Sequence, residues 1–215
     1  MVRVIAYIDG FNLYHGLRDS GFRRYYWLDL PSLGRSLLKP GQQLIATKYF
    51  TARIAGPKPT DPPGKTSALL EKRKRQSEYL EALATLPNLT VFEGHYLAKN
   101  VRCRTCGAVW TSHEEKMTDV RIATELLVDV YDDAFDTALI ISADSDLVPP
   151  VEALRRLFPA KRVLVFFPPG RKSHHLRSAS HACFSIGRGT LKKSQLPDPV
   201  IKPDGHVLHR PAHWR

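Results

Sequence analysis

The sequence predicts an α/β fold in which helices cover both faces of a central parallel sheet. Residues 4–8 form a continuous apolar run rich in β-branched side chains, which is typical of a strand buried on both faces. Residues 118–131 carry apolar side chains mostly at helical spacing. Because segments of both kinds alternate along the chain, they favour three layers around a parallel sheet. A chain of 215 residues that is 43% hydrophobic can bury one substantial core.

Each predicted element has a local cause in the sequence. Strands are predicted at 4–8, 44–54, 89–97, 137–142 and 162–167. Helices are predicted at 12–18, 33–38, 67–86 and 118–131, with a further one starting near Pro149 and Pro150, where proline is tolerated in a first turn. Asp9-Gly10 ends the first strand and Pro40-Gly41 ends the second helix, while Thr118 is the expected N-cap of the fourth.

The remaining segments are predicted to be loops and a tail. Residues 56–64 are rich in proline and glycine, and 99–112 is expected to be an irregular excursion. From Pro197 onward the composition predicts loose order, with Trp214 able to pin the end. We therefore expect one domain at 1–190 with an insertion at about 99–113, followed by a basic tail containing proline and histidine at 191–215.

The charge balance favours a polyanionic partner. The chain has 32 Lys and Arg against 21 Asp and Glu, a net charge of +11, and nucleic acid is the leading candidate partner. The apolar start of the chain is too short for a signal peptide, and no stretch reaches the roughly 18 apolar residues of a membrane span. We expect a cytoplasmic protein that does not bind membranes. The basic run at 72–75 is expected to be a solvated helix face.

Several carboxylates are predicted to meet at one edge of the sheet. Asp9 follows the first strand, Asp144 and Asp146 follow the 137–142 strand, and Asp119 lies in a first helical turn. Ligands of open parallel sheets bind beyond the carboxyl ends of the strands. Singly, each aspartate has an ordinary explanation as a cap or a partner of a helix dipole. Together they repel one another and need a cation, and oxygen ligands suit Mg²⁺ or Mn²⁺.

Four blocks of the sequence resemble the NYN domain family, which belongs to the PIN-like nuclease superfamily. Three of them, YIDGFN at 7–12, EEKMTDV at 114–120 and ISADSDL at 141–147, are similar to its signature blocks in their usual order. The fourth, FFPPGR at 166–171, resembles bacterial members described as LabA-like. The resemblance covers roughly residues 3–191. It is strong because three moderately specific blocks occur in order on suitable elements.

The resemblance implies a Rossmann-like PIN fold and a divalent-metal ribonuclease site. It assigns Asp9, Asp119 and Asp144 as ligands of Mg²⁺ or Mn²⁺ and Asp146 as a further acidic member. It assigns Asn12 as a positioning residue, which from the sequence alone is equally well an ordinary helix-starting asparagine. The expected activity is hydrolysis of RNA phosphodiester bonds, and an endonuclease is the favoured form.

A Cys-x-x-Cys pair raises the prediction of a structural Zn²⁺ site. Cys103 and Cys106 have the two-residue spacer of a zinc knuckle, and His95 and His113 are the nearest further ligands. The two histidines are equally well ordinary surface residues. Cys183 is distant in sequence and is expected to be a small buried side chain. A redox function of the pair is disfavoured. A thioredoxin-type pair opens a helix directly after a strand, whereas this pair lies in a predicted polar loop followed by Gly107.

Cations flanking the carboxylates are expected to bind RNA phosphates. The candidates that follow the last predicted strand are Arg171, Lys172 and Arg177, and Lys116 closely precedes Asp119. A second basic patch interleaves with aromatic residues that can stack bases or pack in the core, and it comprises Arg18, Arg23 and Arg24 with Tyr25, Tyr26 and Trp27.

Two other classes of function compete with the nuclease. An RNA-binding module with little or no catalysis would keep the same fold, although the presence of all four aspartates argues against it. Toprim domains and haloacid dehalogenase-like phosphatases also use aspartates after strands. The phosphatases have Asp-x-Asp after the first strand, whereas in this chain the residue two positions after Asp9 is Phe11. Toprim domains require a glutamate after the first strand, and this chain has none there. A homodimer stays open, as does the identity of the RNA.

Overall fold

The structure is a computed structural model that describes residues 1–57, 59 and 61–215, with the backbone alone described at 95–100 and 110–116. Within these residues one sheet has seven strands in the order β4-β3-β2-β1-β5-β6-β7. The strands are β1 (Val2–Asp9), β2 (Gln42–Ala52), β3 (Leu89–Arg102), β4 (Val109–Lys116), β5 (Thr137–Ile141), β6 (Arg162–Phe167) and β7 (Ala182–Ser185). Six strands are parallel, and β4 pairs antiparallel at one edge. The predicted α/β class is confirmed.

Helices cover both faces of this sheet. They are α1 (Gly10–Asp19), α2 (Leu30–Ser36), α3 (Pro63–Leu83), α4 (Thr118–Tyr131), α5 (Val148–Leu157), α6 (His174–Ala179) and α7 (Arg188–Lys193). Leucines of α1, α2, α3 and α7 pack on one face, and apolar residues of α4, α5 and α6 pack on the other. Among the described residues, no helix combines the length and apolar character needed to cross a membrane.

The first strand shows why its sequence is continuously apolar. Val4, Ala6 and Ile8 point into the core beneath α1, α2 and α3, whereas Ile5 and Tyr7 point into the core beneath α4 and α5. Since successive side chains of a strand alternate between faces, a strand with helices on both sides has no solvated face. The central position of β1 between β2 and β5 follows from this pattern.

The predicted irregular excursion at 99–112 is wrong. β3 continues to Arg102 and pairs with β4 in an antiparallel ladder that ends at Arg102 and Val109. The turn between them is closed by Cys103, whose N–H donates to Ala108 O over 2.8 Å, and by Gly107, whose N–H donates to Cys103 O over 3.0 Å. Gly107 has a φ of 72°, a conformation that costs glycine little. The cysteine pair therefore lies in the tip of an ordered hairpin.

The C-terminal segment is also more ordered than predicted. Two short strands, β8 (Val200–Ile201) and β9 (Val207–Leu208), form a hairpin, and a 3₁₀ turn follows at Ala212–Trp214. The prediction that Trp214 pins the chain end is confirmed, since its ring lies 5.6 Å from Tyr26 and 6.0 Å from Tyr79 and only 9% of it is exposed. The boundary at residue 190 stays a prediction, although Leu191, like Trp214, belongs to the core.

Candidate metal centre

Asp9 lies at the junction of β1 and α1. It is the last residue of the strand and the N-cap of the helix, with extended backbone angles of φ −73° and ψ 105°. Its Oδ1 accepts a hydrogen bond from the N–H of Asn12 over 2.9 Å, and its side chain is almost completely buried. An aspartate in this role satisfies a free N–H of the first turn. The cap therefore fixes one carboxylate oxygen and leaves the other directed to the loop after β5.

That second oxygen is held by a serine from the neighbouring strand. Ser142 follows the last residue of β5, which is paired with Ile8 in the parallel ladder. Its hydroxyl donates to Asp9 Oδ2 over 2.8 Å and accepts from the N–H of Asp144 over 3.0 Å. Ser142 is fully buried. One hydroxyl thus ties together two of the predicted carboxylate positions, and sequence reasoning assigned it no role.

Asn12 contacts the same loop through its side chain. Its Oδ1 accepts a hydrogen bond from the N–H of Ala143 over 3.1 Å, and the residue is 8% exposed. The sequence left open whether Asn12 orients a carboxylate or simply starts a helix. The contact that the structure shows is with the backbone beside Asp144. Asn12 and Ser142 together therefore hold the loop after β5 against the first turn of α1.

The third carboxylate comes from α4, which begins one residue after β4 ends. Met117 makes that connection with a φ of 82°, in the left-handed region that costs a non-glycine residue roughly 1–2 kcal/mol. It is also the N-cap residue, so the predicted cap at Thr118 is wrong, and Thr118 is a buried residue of the helix itself. The abrupt turn places Asp119 in the first turn of α4, near the ends of β1 and β5.

Asp9, Asp119 and Asp144 each contribute one carboxylate oxygen to a cluster in which the three oxygens lie within 4.8 Å of one another. Asp9 is buried and the other two are partly exposed. Three anionic side chains at this separation repel one another, and a cation offsets that repulsion. Their donor set consists of oxygen alone, which is the chemistry that Mg²⁺ and Mn²⁺ prefer. The residues present therefore fit a hard divalent cation.

Asp146 lies beside this cluster without joining it. Its N–H donates to Asp144 Oδ1 over 3.0 Å, because Asp144 is the N-cap of the 3₁₀ turn at Ser145–Leu147. The residue is exposed, and its carboxylate is not among the three that converge. Its visible contribution is a backbone hydrogen bond that orients the Asp144 side chain.

The predicted phosphate-binding cations differ in their surroundings. Arg171 pairs with Asp19 over 3.3 Å, whereas Lys172 and Arg177 are exposed on the segment that follows β6. The side chain of Lys116 lies outside the described residues.

The second predicted patch is split between the surface and the core. Arg23 and Arg24 are exposed, whereas Tyr25 and Trp27 are buried, so two of the three aromatic residues serve the core. Tyr26 is partly exposed and packs against Trp214. Stacking on a base is therefore open to Tyr26 alone among the three.

The zinc prediction falls partly on side chains outside the described residues, namely those of His95 and His113. The strand register pairs His113 with Ala98 of β3. Ala98 precedes Cys103 by five positions, which corresponds to about 16 Å along a strand. Cys103 and Cys106 are close neighbours in the hairpin tip, and N–H groups of Cys106 and Thr105 lower the pKa of the Cys103 thiol to about 7. Zinc binding by this pair stays a prediction.

Comparisons with known proteins agree with the fold. The chain is 26% identical to 6-hydroxy-3-succinoylpyridine 3-monooxygenase HspA of Pseudomonas putida (strain DSM 28022 / S16), over 94% of this chain and 75% of that protein. The fold of the present chain is similar to that of a protein of unknown function, VPA0982 from Vibrio parahaemolyticus RIMD 2210633, whose crystal structure it matches with a TM-score of 0.54 and 17% identity. That match covers 91% of this chain and 96% of the other. Residues 3–187 match the NYN domain, and the chain therefore belongs to the NYN domain family.

Proposed function

We propose that this protein is a ribonuclease that depends on a divalent metal ion. The observation that carries the proposal is the convergence of Asp9, Asp119 and Asp144, whose carboxylate oxygens lie within 4.8 Å of one another. Membership of the NYN family, which is nuclease-like, supports the same reaction. The net charge of +11 supports RNA as the substrate, because phosphodiesters are anionic.

Asp9, Asp119 and Asp144 would hold the cation, and Mg²⁺ or Mn²⁺ fits their oxygen donors. A divalent ion in such a site supplies Lewis-acid chemistry to a phosphodiester and to an attacking water. The chain's own contribution is rigidity. Asp9 is held at both oxygens, by the N–H of Asn12 and the hydroxyl of Ser142. Carboxylates fixed before the substrate arrives need no rearrangement during the reaction.

The surrounding cations would bind the RNA backbone on either side of the bond that is cut. Lys172 and Arg177 follow β6, whose carboxyl end lies at the same sheet edge as those of β1 and β5. Arg23 and Arg24 are exposed on the segment between α1 and α2. Phosphate contacts of this kind position a strand without reading its sequence. These residues would therefore bind the RNA backbone, and the aspartates would take part in the reaction.

The first experiment is cleavage of a mixed pool of single-stranded and structured RNA with Mn²⁺, with Mg²⁺ and with EDTA. Asp144→Asn should lower the rate at least about a hundredfold, because changes to groups that merely orient metal ligands already cost 10- to 100-fold. Asp132→Asn is the matched control, since Asp132 is an exposed aspartate at the other end of α4. The control should cleave at the wild-type rate.

Three outcomes would reject this function. Cleavage that persists in EDTA, or an Asp144→Asn variant as active as the wild type, would remove the carboxylate site from the reaction. Tight RNA binding without any cleavage would assign the chain to the second candidate class, an RNA-binding module with a PIN-like fold. The NYN family assignment would survive any of these results, because it rests on sequence similarity.

A third candidate follows from the similarity to HspA, whose name describes a monooxygenase acting on a hydroxylated pyridine acid. The donor set favours the nuclease, because oxygenases with non-haem iron commonly use two histidines and one carboxylate, whereas three carboxylates converge here. The test is to incubate the protein with 6-hydroxy-3-succinoylpyridine, oxygen and a reduced nicotinamide, and to look for an oxygenated product by mass spectrometry. Product at rates above the protein-free control would favour this candidate.

A further inference from the structure

A cavity of about 390 Å³ opens between α1, the end of β2, α3 and the C-terminal segment. Its volume falls within the roughly 300–1,000 Å³ of sites for small ligands. We call it the α1 pocket. The residues on which its chemistry depends are Tyr14, Arg18, Tyr26, Lys72, Arg75 and Trp214.

The α1 pocket reaches the start of α1, whose N-cap is Asp9 of the candidate metal centre. Gly10 and Phe11, which directly follow Asp9, line it. Tyr49 lines it as well, and its hydroxyl lies within the electrostatic reach of Asp9. Burial, and in addition the negative charge of Asp9, raise the pKa of that hydroxyl to about 12. A strand bound at the carboxylates can therefore continue past the start of α1 towards the pocket.

The charged side chains that line the pocket are cationic, and two of them pair with carboxylates outside the lining, Arg18 with Asp19 over 2.9 Å and Arg75 with Glu71 over 3.7 Å. Four cations line it, and none of its described lining residues is acidic; the cations are Arg18, Arg23, Lys72 and Arg75. His15 and His213 also line it, and burial together with neighbouring cations lowers the pKa of both. A concave site lined by cations attracts a phosphate. The basic run at 72–75 is thus more than a solvated face, because its first and last residues point to one side at helical spacing.

Aromatic rings form the other part of the wall. Tyr14 lies 5.2 Å from Tyr26, and Tyr26 lies 5.6 Å from Trp214, measured between ring centroids. Tyr14 and Tyr26 are partly exposed, and both line the cavity. Lys72 Nζ lies 6.0 Å from the centre of the Tyr14 ring. Adjacent stacking and cationic groups are what single-stranded nucleic acid binds.

We propose that the α1 pocket binds one unpaired nucleotide of the RNA strand whose neighbouring phosphodiester lies at the carboxylates. The base stacks on Tyr14 and Tyr26, and its phosphate contacts Lys72 and the arginines. A base held in a duplex cannot enter such a cavity without unpairing, so the pocket selects single-stranded RNA. This inference rests on the proposed ribonuclease function for its substrate, and it adds the class of strand that the site accepts.

The test measures binding rather than cleavage, with full-length protein in EDTA. The probes are a short fluorescein-labelled oligouridylate and a labelled RNA duplex of equal length, followed by fluorescence anisotropy. Tyr14→Leu should weaken single-strand binding about tenfold through lost stacking. Lys72→Ala should weaken it about tenfold through a lost charged contact. Duplex binding should change less than about twofold in both variants.

Lys74→Ala is the matched control, because Lys74 lies on the same helix, carries the same charge and does not line the pocket. It should bind both probes within about twofold of the wild type. Lys72 is exposed, so its variant keeps the test valid even if Tyr14→Leu proves unstable. Equal single-strand affinity of the wild type, Lys72→Ala and Lys74→Ala would overturn the proposal. So would a wild type that binds the duplex as tightly as the single strand.

The two proposals fail separately. If the wild type cleaves RNA in the presence of Mn²⁺ but Lys72→Ala binds the oligouridylate like Lys74→Ala, the pocket proposal is overturned and the ribonuclease stands. If Lys72→Ala and Tyr14→Leu lose single-strand affinity selectively while no metal-dependent cleavage occurs, the pocket is supported and the catalytic proposal fails.

Discussion

Gly10 occupies a position at the candidate metal centre where a side chain has no room. A Cβ placed there would lie 2.6 Å from the backbone oxygen of Phe50 and 2.8 Å from the hydroxyl of Tyr49. Backbone atoms of a central strand do not yield easily, so the first turn of α1 would have to move. Because Asp9 immediately precedes this turn, the absence of a side chain at Gly10 helps to determine where its carboxylate lies.

Gly10→Ala should therefore lower the free energy of unfolding by about 1–3 kcal/mol, the usual cost of overpacking. Urea unfolding followed by circular dichroism measures it. Gly189→Ala is the control, because Gly189 lies in α7 and a Cβ added there would meet nothing within 4 Å, so alanine should be neutral or stabilising by up to about 1 kcal/mol. Equal stability of Gly10→Ala and the wild type would contradict the packing argument.

Ser142 is a positioning residue of the same site. Its hydroxyl joins Asp9 to the backbone of Asp144, so Ser142→Ala should leave the carboxylates in place but loosely held. We expect the apparent affinity for Mn²⁺, measured by the electron paramagnetic resonance signal of the free ion, to fall about 10- to 100-fold. Ser145→Ala, an exposed serine of the same loop, should bind Mn²⁺ like the wild type. Unchanged Mn²⁺ affinity in Ser142→Ala would show that Ser142 does not position the carboxylates.

The sequence predicts the aspartates of the site better than their partners. Asp9 and Asp144 each follow an apolar strand, and parallel strands end at a common edge, so their proximity can be inferred. The role of Ser142 depends on the register that pairs Ile8 with Ile141, and no periodicity specifies that register. The contact of Asn12 with Ala143 has the same origin. Hydrogen-bond partners on neighbouring strands are therefore evident only in the structure.

Among the elements, the hairpin of β3 and β4 and the strand β7 were not predicted. The β4 segment reads VWTSHEEK and lacks a regular apolar period, as an edge strand needs little burial. β7 has only four residues, ACFS, too few to display a pattern. The buried central strands, by contrast, were placed to within a few residues because both faces of each are apolar. Burial is what makes an element visible in a sequence.

An ion-pair network joins the start of β1 to the loop before β5. Asp136 accepts hydrogen bonds from the backbone N–H of Arg3 over 2.7 Å and from its guanidinium over 2.8 Å. Arg3 also pairs with Asp133, and so does Lys161. The hydrogen bonds from Arg3 lower the pKa of Asp136 to about 2, below its ordinary value of 3.8. The folded protein therefore releases this proton more readily than the unfolded chain.

The sign of the pH effect follows from that lowered pKa. The stabilisation is fully present above the ordinary value of 3.8 and is lost as the pH falls towards 2. The difference in unfolding free energy between the wild type and Asp136→Asn should therefore shrink between pH 5 and pH 2, as measured by urea unfolding. Asp132→Asn, at an exposed aspartate nearby in sequence that is not part of this network, is the matched control for a lost carboxylate. If the difference in unfolding free energy between the wild type and Asp136→Asn stays constant with pH, the network does not contribute to the loss of stability in acid.

At the scale of the whole molecule, the C-terminal segment completes the core and one wall of the α1 pocket. Trp27 Nε1 donates to Pro197 O over 2.9 Å, and Trp214 packs on Tyr26 and Tyr79. The sequence predicted loose order here because strands of two residues carry no period and the composition is rich in proline and histidine. The contacts that order the segment come from residues far away in the chain, which composition does not reveal.

The chain has a net charge of +11; its carboxylates meet at one sheet edge, whereas exposed cations follow β6 and other cations line the α1 pocket. RNA bound at this edge releases counterions, and log Kd changes with log salt by about 0.7 per phosphate neutralised on a single strand. Lys172, exposed after β6, should neutralise one of these phosphates. Arg156, exposed in the last turn of α5, lies at the opposite edge and should neutralise none.

Lys172→Ala should therefore reduce the magnitude of the salt slope by about 0.7, whereas Arg156→Ala should leave it unchanged. Anisotropy titrations of a labelled single-stranded RNA at several salt concentrations in EDTA give both slopes. The two variants lose the same charge, so the net charge of the molecule changes equally in each. If their slopes fall by the same amount, binding depends on net charge alone and the RNA is not confined to the edge that carries Asp9, Asp119 and Asp144. A fall confined to Lys172→Ala places the strand at that edge.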